Sequence, residues 1–261
     1  MRIAGIFTRG IENMGRLKKI MIGCSGWNYA HWRGRFYPGE MRQKLWFDFY
    51  QASFDTVEIN NTFYKLPQEQ TFRQWEMQAG DEFIYAVKAN RYLTHLKKLH
   101  NAQDALEKFI ARVRLLGQKL GPLLYQLPPH WAKDYKRLEG FLDLLPKNLI
   151  HVFEFRDQSW MEDDILRLLD QYGCSFCIHD MPGLICPRKS VGPITYLRFH
   201  GAQEKYQGGY PRSTLQEWAD WIREHSGKEH SGDVYVYFNN DAMAHAVYDA
   251  MQLKRYLEVE S

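Results

Sequence analysis

Hydrophobic and polar positions along this chain follow two periods in turn. Runs with period-2 alternation or continuous apolar character fall at 20–24, 55–60, 83–88, 122–127, 150–156, 174–179, 194–200 and 233–239, which predicts eight strands. Between them, apolar residues recur every three to four positions. This predicts seven helices, at about 42–53, 69–79, 102–118, 134–145, 161–172, 212–226 and 242–256. The clearest is 102–118, where Ala102, Leu106, Phe109, Ile110, Val113 and Leu116 share a face. Asn101 is its expected cap, and Gly117 and Gly121-Pro122 mark the region where it ends. The stretch from Asp180 to Pro193 holds Pro182, Gly183, Pro187, Gly192 and Pro193, so it is predicted as a loop.

Strands alternating with helices imply βαβ units and a parallel sheet. Eight strands in a chain of 261 residues predict an α/β fold, a TIM-like (β/α) barrel with eight strands and about seven helices. An open doubly wound sheet is the alternative, but no G-x-G-x-x-G follows the first strand and no G-x-x-x-x-G-K-[ST] occurs anywhere. No repeat or linker divides the sequence, so 20–261 is expected to be one barrel domain. Residues 1–19 lack periodicity and read as an irregular extension, or as sequence ahead of a start at Met14 or Met21.

The strands also show a parity. Val57 and Ile59 oppose Thr56, Glu58 and Asn60; Phe83, Tyr85 and Val87 oppose Ile84, Ala86 and Lys88; Leu123, Tyr125 and Leu127 oppose Leu124 and Gln126. His151, Phe153 and Phe155 oppose Val152, Glu154 and Arg156; Leu197 and Phe199 oppose Tyr196, Arg198 and His200. Val234, Val236 and Phe238 oppose Tyr235, Tyr237 and Asn239. One face suits packing under helices. The other turns polar toward its C-terminal end, the end where barrel active sites lie. The competing reading is a structural salt-bridge network that plugs the barrel.

Composition adds limits. The 34 basic and 31 acidic residues give a net charge of +3, which by itself indicates neither a nucleic-acid nor a membrane partner. No apolar run reaches a membrane-spanning length, and no signal-peptide core follows Arg2 and Arg9. Four cysteines, Cys24, Cys174, Cys177 and Cys186, are too few for a disulfide scaffold. Cys174 and Cys177 are spaced to point to opposite faces of a strand, so buried thiols in a reducing, cytoplasmic setting are expected.

The candidate chemistry sits on the polar face. Glu58 and Glu154 can divide into acid and base if their environments separate their pKa values. Lys88 can hold an anion, or act as an amine nucleophile if desolvated. His200 can shuttle a proton. Arg156 and Arg198 suit a carboxylate or phosphate, and Asn60, Gln126 and Asn239 can orient a hydroxylated ligand. Trp27, Tyr29, Trp32 and Tyr64 follow the first two strands and can stack on a ring; the plain alternative is that Trp27 and Trp32 cap the barrel and that Thr94-His95 forms a turn. Glu58, Glu154, His179, Asp180 and His200 offer metal donors, as in metal-dependent sugar isomerase and apurinic endonuclease barrels. No H-x-H or H-E-x-x-H is present and the basic residues oppose a cation, so no metal is assigned and the cofactor is unknown.

These residues carry a family resemblance. The segments are Gly23-Cys-Ser-Gly-Trp-Asn-Tyr29 with Trp32, Gly34 and Phe36-Tyr-Pro38; Val57-Glu-Ile-Asn-Asn-Thr-Phe-Tyr64 with Leu66-Pro67; and Lys88-Ala89 with Arg91 and Thr94-His95. Gly121-Pro122 with Gln126-Leu-Pro-Pro129, Glu154-Phe-Arg156 with Ser159-Trp160, Arg198-Phe-His-Gly201 and Tyr237-Phe-Asn-Asn240 complete them. Together they resemble the bacterial YecE-like family, domain of unknown function 72, over about residues 22–241. Asp241-Ala-Met-Ala-His245 departs from the glycine- and alanine-rich texture usual there. The resemblance implies a TIM-barrel-like fold and no established activity. Three functions stand open: an enzyme acting on a small polar anionic, sugar-phosphate-like ligand; a nucleic-acid or nucleotide processing protein, with aromatics and arginines interleaved at 27–37 and 91–98; and a non-catalytic ligand-binding protein.

Overall fold

A computed structural model describes residues 18–202, 206, 208–226 and 232–258. The predicted 1–19 extension lies, but for its last two residues, outside the described residues. The strands are β1 Ile20–Cys24, β2 Thr56–Ile59, β3 Ile84–Lys88, β4 Leu120–Gln126, β5 His151–Glu154, β6 Ser175–Asp180, β7 Thr195–Phe199 and β8 Val234–Phe238. All pair in parallel in the order β1-β8-β7-β6-β5-β4-β3-β2. Every predicted strand is present.

The α-helices among the described residues are α1 Trp46–Gln51, α2 Asn61–Tyr64, α3 Glu69–Gln78, α4 Gln103–Val113, α5 Tyr135–Leu142, α6 Asp163–Gln171, α7 Arg212–Ser226 and α8 His245–Glu258. All seven predicted helices are found. The one-turn α2 is additional and too short to show a period. The helix predicted over 102–118 is α4 followed by a 3-10 segment, Arg114–Lys119, which bends at Gly117 (φ 56°). Asn101 does not cap it. Ala102 takes the cap position without a side-chain bond, and Asn101 has φ 44° in the preceding turn. Asp134 does cap α5, accepting from the Arg137 amide at 3.0 Å. No helix stands between β6 and β7, as the proline- and glycine-rich 180–193 stretch predicted.

The parity holds. Val57, Tyr85, Leu123, Phe153, Leu197 and Val236 belong to one apolar cluster beneath the helices. A second, smaller cluster fills the barrel: Met21, Ala86, Leu124, Val152, Cys177, Tyr196, Tyr235 and Tyr237. Cys174 and Cys177 fall in different clusters, and all four cysteines are free thiols.

Between β1 and β2 a side chain bridges the two strands' backbones. The Tyr50 hydroxyl of α1 accepts from the Cys24 amide at 2.8 Å and donates to the Thr56 carbonyl at 3.0 Å. It thus stands in for a backbone rung. Gly23 permits the approach, because a Cβ there would sit 2.2 Å from the Thr56 carbonyl oxygen. Gly23→Ala must therefore push the two edges apart, at a cost of about 1–3 kcal/mol or more. Tyr50→Phe orphans a buried amide, at about 1–3 kcal/mol. Urea unfolding is expected to show a lower midpoint for both, and a midpoint equal to wild type would refute this account of the seam.

Candidate functional site

The inner faces of β2, β5 and β7 end in Glu58, Glu154 and Arg198, and all three are fully buried. Arg198 reaches across the barrel. Its Nη2 donates to Glu58 Oε1 at 2.7 Å and its Nη1 to Glu154 Oε2 at 2.5 Å. Ser25 Oγ and the Tyr196 hydroxyl also donate to Glu58, at 2.7 and 2.6 Å. Arg156 Nε donates to Glu154 Oε1. Burial alone would raise the Glu154 pKa, but Arg156 and Arg198 outweigh it and hold the carboxyl well below its ordinary value. Burial opposes the charge on Arg198, and Glu154 and Glu58 outweigh that too.

This geometry revises the expected acid–base division between Glu58 and Glu154. Glu154 is locked as a carboxylate, and Glu58 is fully buried with three donors around it. Arg198 is likewise consumed by the two carboxylates. His200, also fully buried, has its pKa driven well down by burial and then by Arg156, so it is neutral at pH 7. Its Nε2 accepts from Arg156 Nη2 at 3.0 Å, and its Nδ1 faces the Asn239 amide at 3.2 Å. As placed, it orients Arg156 and is not poised to titrate near neutrality.

The groups left with free valences are spread from the end of β2 to β6. Lys88 is 8% exposed, and among the described residues its amine makes no hydrogen bond or ion pair. It stands 4.3 Å from the centroid of the Phe63 ring. Burial, followed by repulsion from Arg198, lowers its pKa to about 7. Gln126 is also 8% exposed, with its amide unengaged among the described residues. Arg156 spends its third nitrogen, Nη1, on the thioether of Met181, a weak acceptor. His179 donates from Nε2 to the Phe155 carbonyl at 2.9 Å, which leaves Nδ1 buried without a partner. Asn60 donates to the Ser25 carbonyl at 3.3 Å, and its Oδ1 is buried and unpartnered.

The aromatic rim differs from expectation. Trp27 turns away from the mouth and packs edge-on against Phe47 and Trp75, with centroids 5.2 and 6.0 Å away. Trp32 is fully buried and donates to the Asp241 carbonyl at 3.0 Å, so it caps the barrel end. Tyr29 donates to the Ser25 carbonyl at 2.6 Å. Tyr64 is 73% exposed and leans on Phe63 at 5.2 Å. Phe63 is the ring at Lys88. His95 packs edge-on against the same ring at 4.9 Å, with a pKa lowered to about 4 by burial and then by Lys88. Ser25, Tyr196, Phe63 and Met181 were not singled out from the sequence. The parity argument already placed Tyr196 on the inner face, but nothing local distinguishes Phe63 from Tyr64. Among the described residues, no three His, Cys, Asp or Glu side chains are grouped to hold a metal ion.

Replacing Arg198 by Met leaves two buried carboxylates facing each other. The expected loss at pH 7 is about 3–5 kcal/mol. In the wild type Glu154 titrates lower folded than unfolded, so its stabilisation is present above the ordinary carboxylate pKa and is lost as pH falls below it. In Arg198→Met, Glu154 loses one of the two cations that hold its pKa down, so less stabilisation remains to be lost on acidification and the deficit narrows as pH falls. Denaturant midpoints across pH 4–8 check this; a constant deficit would refute the pairing.

Comparison with known proteins agrees with this architecture. A family model described as protein of unknown function DUF72 matches residues 21–261. The UPF0759 protein YunF of Bacillus subtilis is 23% identical over 275 residues, covering 92% of this chain and 95% of that protein. YecE of Escherichia coli K12, also a UPF0759 protein, is 27% identical over 167 residues, 62% of this chain and 59% of its own length. The crystal structure of the DUF72 family protein TM1631 of Thermotoga maritima superposes with a TM-score of 0.84 at 26% identity, covering 92% of this chain and 99% of that one. A second, EF0366 of Enterococcus faecalis, gives 0.78 at 18% identity, covering 93% and 96%. The barrel, the matched span and the relatives agree: this chain belongs to the DUF72 family.

Proposed function

We propose that the C-terminal mouth of the barrel binds a small polar anionic ligand, sugar-phosphate-like in character. The observation that supports this is the Lys88 amine, which is nearly buried and has no carboxylate partner. Glu58 and Glu154 are neutralised by Arg198 and Arg156, so protonating Lys88 creates net positive charge in the mouth. An anion supplies the missing counter-charge. Arg156 Nη1 exchanges a thioether for a charged oxygen, and the Gln126 amide is available to a hydroxyl. Asn60 Oδ1, after β2, and His179 Nδ1, on β6, are buried acceptors without a partner, suited to ligand hydroxyls. Of the aromatics behind the nucleic-acid alternative, Trp32 is fully buried and Trp27 packs on Phe47 and Trp75, while Tyr92 stays exposed.

Sulfate is a suitable probe, since it stays a dianion from pH 5 to 9. Binding is expected to be tightest below pH 7, where Lys88 is protonated, and to weaken as pH rises through about 7. Lys88→Met is expected to weaken binding about tenfold or more and to flatten this pH dependence, in keeping with about 1.5–3 kcal/mol for a hydrogen bond to a charged group. Isothermal titration calorimetry at pH 6, 7 and 8.5 measures it. Affinity that ignores both pH and Lys88 would rule the reading out.

A further inference from the structure

We propose that Lys88 Nζ adds to the carbonyl carbon of a small aldehyde or ketone that also carries an anionic group, forming an imine in the barrel mouth. This rests on the anion-binding reading above and gives the ligand a second functional group. The geometry provides three elements. The amine has no hydrogen bond or ion pair among the described residues and lies against the face of Phe63, an apolar wall that keeps water from one side of it. Arg156 lies two residues past the end of β5, two strands away, with Nη1 held only by the Met181 sulfur. By register Lys88 is level with Leu124 and Val152, so Arg156 lies two strands across and four residues further toward the mouth, and its charge still acts on the Lys88 amine. Gln126 lies between them, on β4.

The step balances without a redox partner. The nitrogen lone pair attacks the carbonyl carbon to give a carbinolamine. The carbonyl oxygen then takes up both former amine protons and leaves as water as C=N forms. A free amine is required. With its pKa lowered to about 7, half of Lys88 is uncharged at neutral pH. For a surface lysine the fraction is on the order of a thousandfold smaller. Neutral His95 beside Phe63, and Arg156 at the far end, leave the amine without a nearby unpaired carboxylate that would hold it protonated.

The test is reductive trapping of the full chain with glyoxylate and cyanoborohydride at pH 7, followed by peptide mass mapping. Lys88 is expected to carry at least about ten times the label of any surface lysine, because of its larger free-amine fraction. Saturating sulfate is expected to reduce that label by more than half, and Lys88→Arg to remove it. Label on Lys88 no greater than on surface lysines, or label indifferent to sulfate, would overturn the proposal. Sulfate titration of the same sample separates the two ideas. Sulfate binding without Lys88 labelling overturns the imine alone, and absence of both overturns the anion site as well.

Discussion

A fully buried guanidinium held between two fully buried carboxylates sets the character of this barrel. Arg198 joins Glu58 of β2 to Glu154 of β5, and so ties opposite walls of the ring at one level. Taking three charges out of water costs several kcal/mol per ion, and only close, well-directed hydrogen bonds offset it. The carboxylates have them: Ser25, Tyr196 and Arg156 fill the remaining positions. Arg198 Nε alone has no partner. Well-packed apolar residues of similar volume often stabilise a fold as well as a buried ion network does, so such a network is weak evidence of a stabilising role.

Its effect on the neighbours gives it a role. With both carboxylates committed, no anion is left for Lys88. The amine is buried beside two guanidiniums and its charge is disfavoured, first by desolvation and then by Arg198. His200 is kept neutral by burial and by Arg156, so it steadies Arg156 without adding charge. The mouth therefore has a cationic tendency and weakly satisfied donors on β3 to β5, above a floor that is internally neutral. The ion network thus sets the electrostatic surroundings of Lys88.

Much of this was legible in the sequence because strand parity is a two-state property. Once 55–60 and 194–200 read as strands, Glu58 and Arg198 had to share the inner face. The helices were legible from their periodicity, except α2, whose one turn is too short to show any. What the sequence did not give was pairing. Six inner-face polar residues can pair in many ways, and only the three-dimensional arrangement assigns Arg198 to both carboxylates and leaves Lys88 alone. The loop aromatics were the other gap. Trp27 follows β1 as directly as a rim residue would, yet its ring finds Phe47 and Trp75 in the helical shell, and burial decides its direction. Phe63, not Tyr64, meets Lys88, a choice made by the one-turn helix that carries them.

The central claim is that Arg198 consumes the carboxylates and so leaves the Lys88 amine without a counter-charge. Direct titration of that amine tests it, by following the lysine ε-methylene resonances of isotope-labelled protein from pH 5 to 11, with Lys88→Arg to assign the signal. The expected result is one lysine titrating at about 7. A Lys88 midpoint near the free-lysine value of about 10.4 would contradict the account.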